Sequence, residues 1–163
     1  MKTLLIVYHS MTGGTLQMAQ AAAAGGRGEP GLRVSLRRAD DAQAADVLEA
    51  GGYLFATPEN LAAMSGKMKD FFDRTYYPAL DRLNGRPYAT LICAGTDGRN
   101  AAQQIDRIAA GWRLKPVADP IIICTRAQTP EEILRPKQIP ASGLQACEEL
   151  GATLAAGIAM GIF

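Results

Sequence analysis

One histidine, one tryptophan and three cysteines are all that 163 residues supply of these three side chains. Cys93, Cys124 and Cys147 lie far apart in apolar runs. That excludes the close pairing of a zinc site, of a Cys-x-x-Cys redox motif or of a disulfide framework. Their setting predicts buried, reduced thiols in a cytoplasmic protein. Neither sign of charge dominates, with 17 Lys and Arg against 16 Asp and Glu. The balance gives no argument for nucleic acid or for a membrane surface as partner. One local excess, Arg27, Arg33, Arg37 and Arg38, reads as a solvated face. Long hydrophobic runs are missing too. The start, "MKTLLIVYHS", carries a short apolar stretch without a signal-peptide cleavage region. The tail, "GATLAAGIAMGIF", is too short to span a bilayer and predicts a buried helix end. No repeats or low-complexity linkers stand out.

What is present is a normal core and a regular alternation. At 48% hydrophobic and 20% charged, the chain suits one domain over residues 1–163. Short apolar runs at 3–8, 33–36, 53–56, 88–93 and 121–124 predict strands, several without polar alternation, as for strands covered on both faces. Helix-period segments separate them. Residues 15–24 are alanine-rich and stop at Gly25 and Gly26. Residues 41–49 form a shorter candidate. Residues 64–76 place Met64, Met68, Phe71 and Phe72 on one face, and residues 100–112 do the same with Ile105, Ala109 and Trp112. A last helix starts at Ser142, an apt N-cap. Five strands alternating with five helices predict a parallel sheet between two helical layers. Ligands then bind beyond the C-terminal strand ends, where strand order reverses. Interest falls on the loops after the first, third and fourth strands. The stretch "TRAQTPEEILRPKQIPASG", with three prolines, predicts a long loop able to fold over a neighbouring pocket.

The first of these loops is Ser10-Met11-Thr12-Gly13-Gly14-Thr15. Free N–H groups at a helix N-terminus attract an anion. The two glycines allow close approach, and Ser10, Thr12 and Thr15 add hydroxyl donors. The loop has no cation. It lacks the Gly-x-x-x-x-Gly-Lys-Ser/Thr of a nucleoside-triphosphate site, the Gly-x-Gly-x-x-Gly of a dinucleotide site, and a nucleophilic cysteine. Two readings stay open on the loop alone: a phosphate held by neutral donors, or a tight strand–helix turn capped by Thr12 or Thr15.

Beyond the third strand the motifs become specific. Ser10-x-Thr12-Gly13-x-Thr15 resembles the FMN-phosphate loop of the flavodoxin superfamily. Thr57-Pro58, followed by Met64-Ser65-Gly66-x-Met68-Lys69-x-Phe71-Phe72-Asp73-Arg74-Thr75, resembles the NAD(P)H-dependent FMN reductase and WrbA-like quinone oxidoreductase branch. Gly95-Thr96-Asp97-Gly98 falls at a flavin-contacting loop of the same family. The resemblance implies a flavodoxin-like three-layer α/β/α sandwich with a five-stranded parallel sheet of order 2-1-3-4-5, binding FMN non-covalently. It implies that Ser10, Thr12, Gly13, Gly14 and Thr15 hold the phosphate. Thr57, Pro58, Glu59, Asn60 and Leu61 would line one side of the flavin, and Ala94, Gly95, Thr96, Asp97 and Gly98 the other.

Some residues depart from the family pattern. Its electron carriers sandwich the flavin between aromatics in the second and third loops, where this chain has Asn60, Leu61, Thr96 and Asp97. Ala62 stands where WrbA-like sequences have glycine. Tyr76 and Tyr77 fall near a substrate-pocket aromatic of those relatives, although packing beside Pro78 is the simpler role. His9 suits packing at a strand end or a general-acid role. No side chain is marked as catalytic and none as a metal ligand. The resemblance implies NAD(P)H as donor and a small acceptor, quinone or flavin. Two other readings stand beside it: a carrier between redox protein partners, and a flavin-binding module without turnover. The near-neutral charge favours the reductase, since carriers are usually acidic. The alanine- and glycine-rich last helix suits core packing or a homo-oligomer contact.

Overall fold

The computed structural model describes residues 1–163. The apolar run after Lys2 forms β1 (Lys2–Tyr8), and α1 (Gly14–Arg27) follows the first loop. Then come β2 (Leu32–Arg38), α2 (Ala44–Glu49), β3 (Gly52–Asn60), β4 (Ala63–Met64) and α3 (Gly66–Ala79). The second half holds β5 (Pro87–Ala94), α4 (Arg99–Gly111), β6 (Lys115–Pro116), β7 (Ile121–Cys124), α5 (Pro130–Leu134) and α6 (Ala141–Met160). The five principal strands run parallel in the spatial order β2-β1-β3-β5-β7, which is the expected 2-1-3-4-5 arrangement. Two short strands were not foreseen: β6 pairs with the start of β5, and β4 pairs antiparallel with the end of β3.

Strand alternation divides the core into two layers. Leu5, Val7, Tyr53, Phe55, Tyr88 and Ile92 face α2, α3 and α4, together with Met68, Phe71, Phe72, Ile105 and Trp112. Leu4, Ile6, Leu54, Ala56, Ala89 and Leu91 face α1 and α6, together with Met18, Ala22, Cys147, Leu150 and Leu154. No helix is long and apolar enough to cross a membrane.

Several boundaries differ from the sequence reading, each for a local reason. Met64 is buried but lies in β4. Helix α3 begins only after Ser65, whose Oγ accepts the Met68 N–H at 3.3 Å. Helix α2 starts at Ala44 because Gln43 and Asp46 form a reciprocal cap there. Helix α6 is capped at Pro140 rather than Ser142, with Pro140 carbonyl accepting from Gly143 and Leu144. Cys93 and Cys147 are buried as expected, whereas Cys124 is only half-buried on the edge strand β7.

Candidate functional site

Strand order reverses between β1 and β3, so the loops at their C-terminal ends diverge and leave a crevice. A cleft of about 510 Å³ opens there, within the ~300–1,000 Å³ usual for small-molecule sites. Its floor and walls come from the first loop, the β3–β4 hairpin, the end of β5 and the segment after β7.

The first loop turns into α1 through Gly13, whose φ of 90° lies in the left-handed region, a conformation that costs glycine little. The Gly13 N–H donates to Ser10 Oγ at 3.1 Å. Gly13 is thus the N-cap, held by Ser10, and neither Thr12 nor Thr15 caps the helix with its side chain. The N–H groups of Gly14 and Thr15 have no acceptor within the protein, and neither threonine hydroxyl has a hydrogen-bond partner. Thr15 is only 2% exposed, yet its hydroxyl is not sealed in, since His9 Nδ1 is the one side-chain polar atom buried without a partner. These donors meet at the positive end of a 14-residue helix. This is the donor chemistry a phosphate group requires.

The second wall is a hairpin rather than a loop. β3 continues past its predicted end because Thr57 and Pro58 still pair with β5, opposite Ile92 and Cys93. Glu59 and Asn60 then pair with Met64 and Ala63. Leu61 and Ala62 make the two-residue tip at φ of 49° and 64°. Both lie in the left-handed region that such tight hairpins demand and that Asn or Gly normally supplies. The tip is tied down from α4. Asn100 Nδ2 donates to Ala62 O at 2.5 Å, and the Met64 N–H donates to Gln104 Oε1 at 2.8 Å. Leu61 itself is fully exposed.

The third wall is Ala94, Gly95 and Thr96. A Cβ on Gly95 would stand 2.9 Å from Ala127 O, so glycine allows the segment after β7 to close against this loop. Thr125 N–H donates to Ala94 O, and Arg126 N–H to Gly95 O, both at 2.8 Å.

The structure thus gathers Ser10, Thr12, Gly14, Thr15, Pro58, Glu59, Asn60, Leu61, Ala94, Gly95 and Thr96 around one cleft. Gly13, Thr57, Asp97 and Gly98 do not line it. Gly13 forms the turn. Thr57 is fully buried, and its Oγ1 accepts the Ser65 N–H at 3.1 Å, tying the hairpin to α3. Asp97 pairs with Arg99 at 2.7 Å, a hydrogen bond that holds its carboxyl below the usual range. Gly98 caps α4 at φ 87°, over Ile122 and Ala94.

Met11 and Cys93 also line the cleft without having been singled out, as do Ala62, noted only as a departure from the family, and Lys137, foreseen only as part of the covering stretch. Cys93 sits where a Cβ on Gly14 would come within 2.6 Å of its sulfur. Burial pushes this thiol up, partly offset by the charge of Lys137. The proline-rich segment is not all loop, since Thr129 caps the short helix α5 within it, but it does fold over the pocket, contributing Thr125, Ala127, Ile133 and Lys137.

Tyr76 and Tyr77 lie outside the cleft lining. Tyr76 stacks on Trp112 at 5.6 Å, and Tyr77 packs edge-on to Tyr76. His9 lies outside it as well. Burial lowers its pKa against the opposing pull of Asp40. No cluster of side chains suits a metal ion.

Comparison with known proteins fits this geometry. A family model described as NADPH-dependent FMN reductase matches residues 38–128. A flavodoxin from Aquifex aeolicus is 41% identical over 86 residues, covering 53% of this chain and 46% of the relative. An NAD(P)H dehydrogenase (quinone) from Acidithiobacillus ferrooxidans is 33% identical over 95 residues, covering 46% and 48%. The chain spans about half the length of these curated relatives. An archaeal flavodoxin structure superposes with a TM-score of 0.77 at 20% identity, covering 96% of this chain and 98% of that one.

Proposed function

This chain belongs to the NADPH-dependent FMN reductase family, and on that premise we propose that residues 1–163 act as one FMN-binding unit passing electrons from NAD(P)H to a small acceptor, a quinone or a flavin. The observation that carries the reading is the set of unpaired donors on Thr12, Gly14 and Thr15 after β1, inside a cleft where the strand order of the sheet reverses. These groups suit a dianionic phosphate, since hydrogen bonds to a charged acceptor are about twice as strong as neutral ones. When bound, FMN supplies the hydride and electron chemistry, so no side chain need act as a nucleophile.

The chain's own residues bind and orient. Ser10 and Gly13 would fix the turn that aims the donors. Pro58, Glu59, Asn60 and Leu61 would flank one side of the ring, and Ala94, Gly95 and Thr96 the other. Thr57, Asp97 and Gly98 would act at one remove, by holding the hairpin and the start of α4 in place. The missing aromatic sandwich would leave the ring flanked by non-aromatic residues, Asn60, Leu61 and Thr96 among them, which forfeits about 0.5–1.5 kcal/mol of stacking per ring. Three unpaired thiols support a reducing compartment, the cytoplasm. A homo-oligomer is compatible with the exposed Met160 and Ile162.

Replacing Thr12 and Thr15 together by alanine should weaken FMN at least tenfold in a fluorescence titration; unchanged affinity would reduce the loop to a turn. Purified protein with FMN should then oxidise NADH or NADPH, without air, when given a quinone. A second reading, a carrier between protein partners, is favoured by the fully exposed Leu61 and half-exposed Met11 at the cleft mouth. Failure to oxidise either nucleotide would leave that carrier reading in its place.

A further inference from the structure

The first loop has no cation of its own, but the fold brings one to it from 122 residues away. Lys137 is the single Lys or Arg among the residues lining the cleft, and Glu59 is the single carboxylate. Lys137 is attached to the loop at the backbone, where its N–H donates to Thr12 O at 2.9 Å. Its Cβ would lie 3.4 Å from a Cβ on Gly14, so the residue sits beside the unpaired N–H groups.

Gln17, one turn into α1, clasps the same stretch. Its Nε2 donates to Gly13 O at 2.9 Å and to Lys137 O at 2.8 Å, and its Oε1 accepts the Ile139 N–H at 3.0 Å. One side chain therefore fixes the strap to the loop. The ammonium of Lys137 is held in turn. Its Nζ donates to Glu132 O and Ile133 O at 2.8 Å and to Arg135 O at 2.5 Å. With three protons engaged, it stands as a fixed positive charge and not as a free donor. Other basic residues of the strap and its neighbours are diverted or outside the lining: Arg135 pairs with Glu131 at 3.1 Å, and Arg99 with Asp97. The residue that carries this charge is fixed against the loop by its main chain and Cβ, at Thr12 and Gly14.

We propose that Lys137 supplies the positive charge of the phosphate site, acting through its field while the neutral donors of the first loop make the hydrogen bonds, and that Gln17 is the positioning residue that holds it there. This rests on the FMN reading above. It predicts a preference for the phosphorylated flavin that weakens as salt is raised, because a fixed charge acting across a solvated cleft is screened.

The test compares FMN with riboflavin, which has the same ring and no phosphate, by flavin fluorescence titration. Lys137→Gln should weaken FMN roughly tenfold and leave riboflavin within twofold. Lys137→Arg should restore most of the FMN preference. Gln17→Ala should lower FMN affinity and also flatten its salt dependence, as the charge loses its place. An equal loss of FMN and riboflavin in Lys137→Gln, or no loss of either, would overturn the proposal while the FMN reading stood. If Lys137→Gln failed to fold, the wild-type protein would decide: an FMN-to-riboflavin preference independent of salt would sink the idea. Wild-type protein that bound neither flavin would instead remove the FMN reading itself.

Discussion

The two faces of the sheet are packed on opposite principles. The face beneath α2, α3 and α4 is filled with rings. Phe72 packs on Phe55 at 5.1 Å, on Phe71 at 5.2 Å and on Trp112 at 5.7 Å. The face beneath α1 and α6 has no fully buried aromatic side chain in its core and relies on small residues, Ala19, Ala22, Ala23 and Ala155 among them. There the two helix backbones nearly touch. A Cβ on Gly151 would stand 1.9 Å from Ala22 O, and one on Gly25 would stand 2.0 Å from Glu148 O. One face derives its cohesion from large buried surfaces, the other from close approach of main chains. They should therefore fail in opposite directions, the first when atoms are removed and the second when atoms are added.

The largest effect should come from Phe72→Ala. It empties a site touched by three other rings, and such truncations cost about 3–5 kcal/mol. Urea unfolding measures this directly, and a loss below about 1 kcal/mol would show that the aromatic face can collapse around the gap. Next in size is Gly151→Ala, which adds one carbon where there is no room. Overpacking of this kind costs about 1–3 kcal/mol. Combining it with Gly25→Ala sharpens the contrast: the pair should cost less than the sum, because either change alone separates the same two helices. Additive losses would mean that the two contacts are independent.

The smallest effect should appear at His9, where β1 ends. Burial holds its pKa below the ordinary value of about 6.5, so the unfolded chain takes up the proton first. Its contribution to stability is complete above that value and declines as pH falls from there through the lowered native pKa. Urea midpoints across that window should slope downward toward acid in the wild type and flatten in His9→Gln. A slope that survives the substitution would assign it to another group.

The fold was legible where burial is two-sided. Residues 88–93 and 121–124 read as strands because β5 is buried along its whole length and β7 joins it through Leu91 to Ala94. The end of β3 was not legible, since Pro58 and Asn60 are turn-forming residues and the pairing of 58–60 is decided by partners on β5 and β4. The same division holds at the cleft. The first loop announced itself by composition, as hydroxyls and glycines between a strand and a helix. Thr57, Asp97 and Gly98 matched a motif but do not line the cleft, a distinction that depends on where side chains point. The proline-rich stretch that carries Lys137 was legible as a cover for a pocket, but the pairing of Lys137 with Gln17 was not, because their meeting is a product of the whole topology.

The clasp between Gln17 and residues 137–139 also sets an order of events during synthesis. The cleft takes its components from both ends of the chain, so a nascent polypeptide emerging from the ribosome owns a donor loop long before it owns the wall that completes it. The wall that Gln17 clasps is therefore added to the cleft only once residues 137–139 have been made.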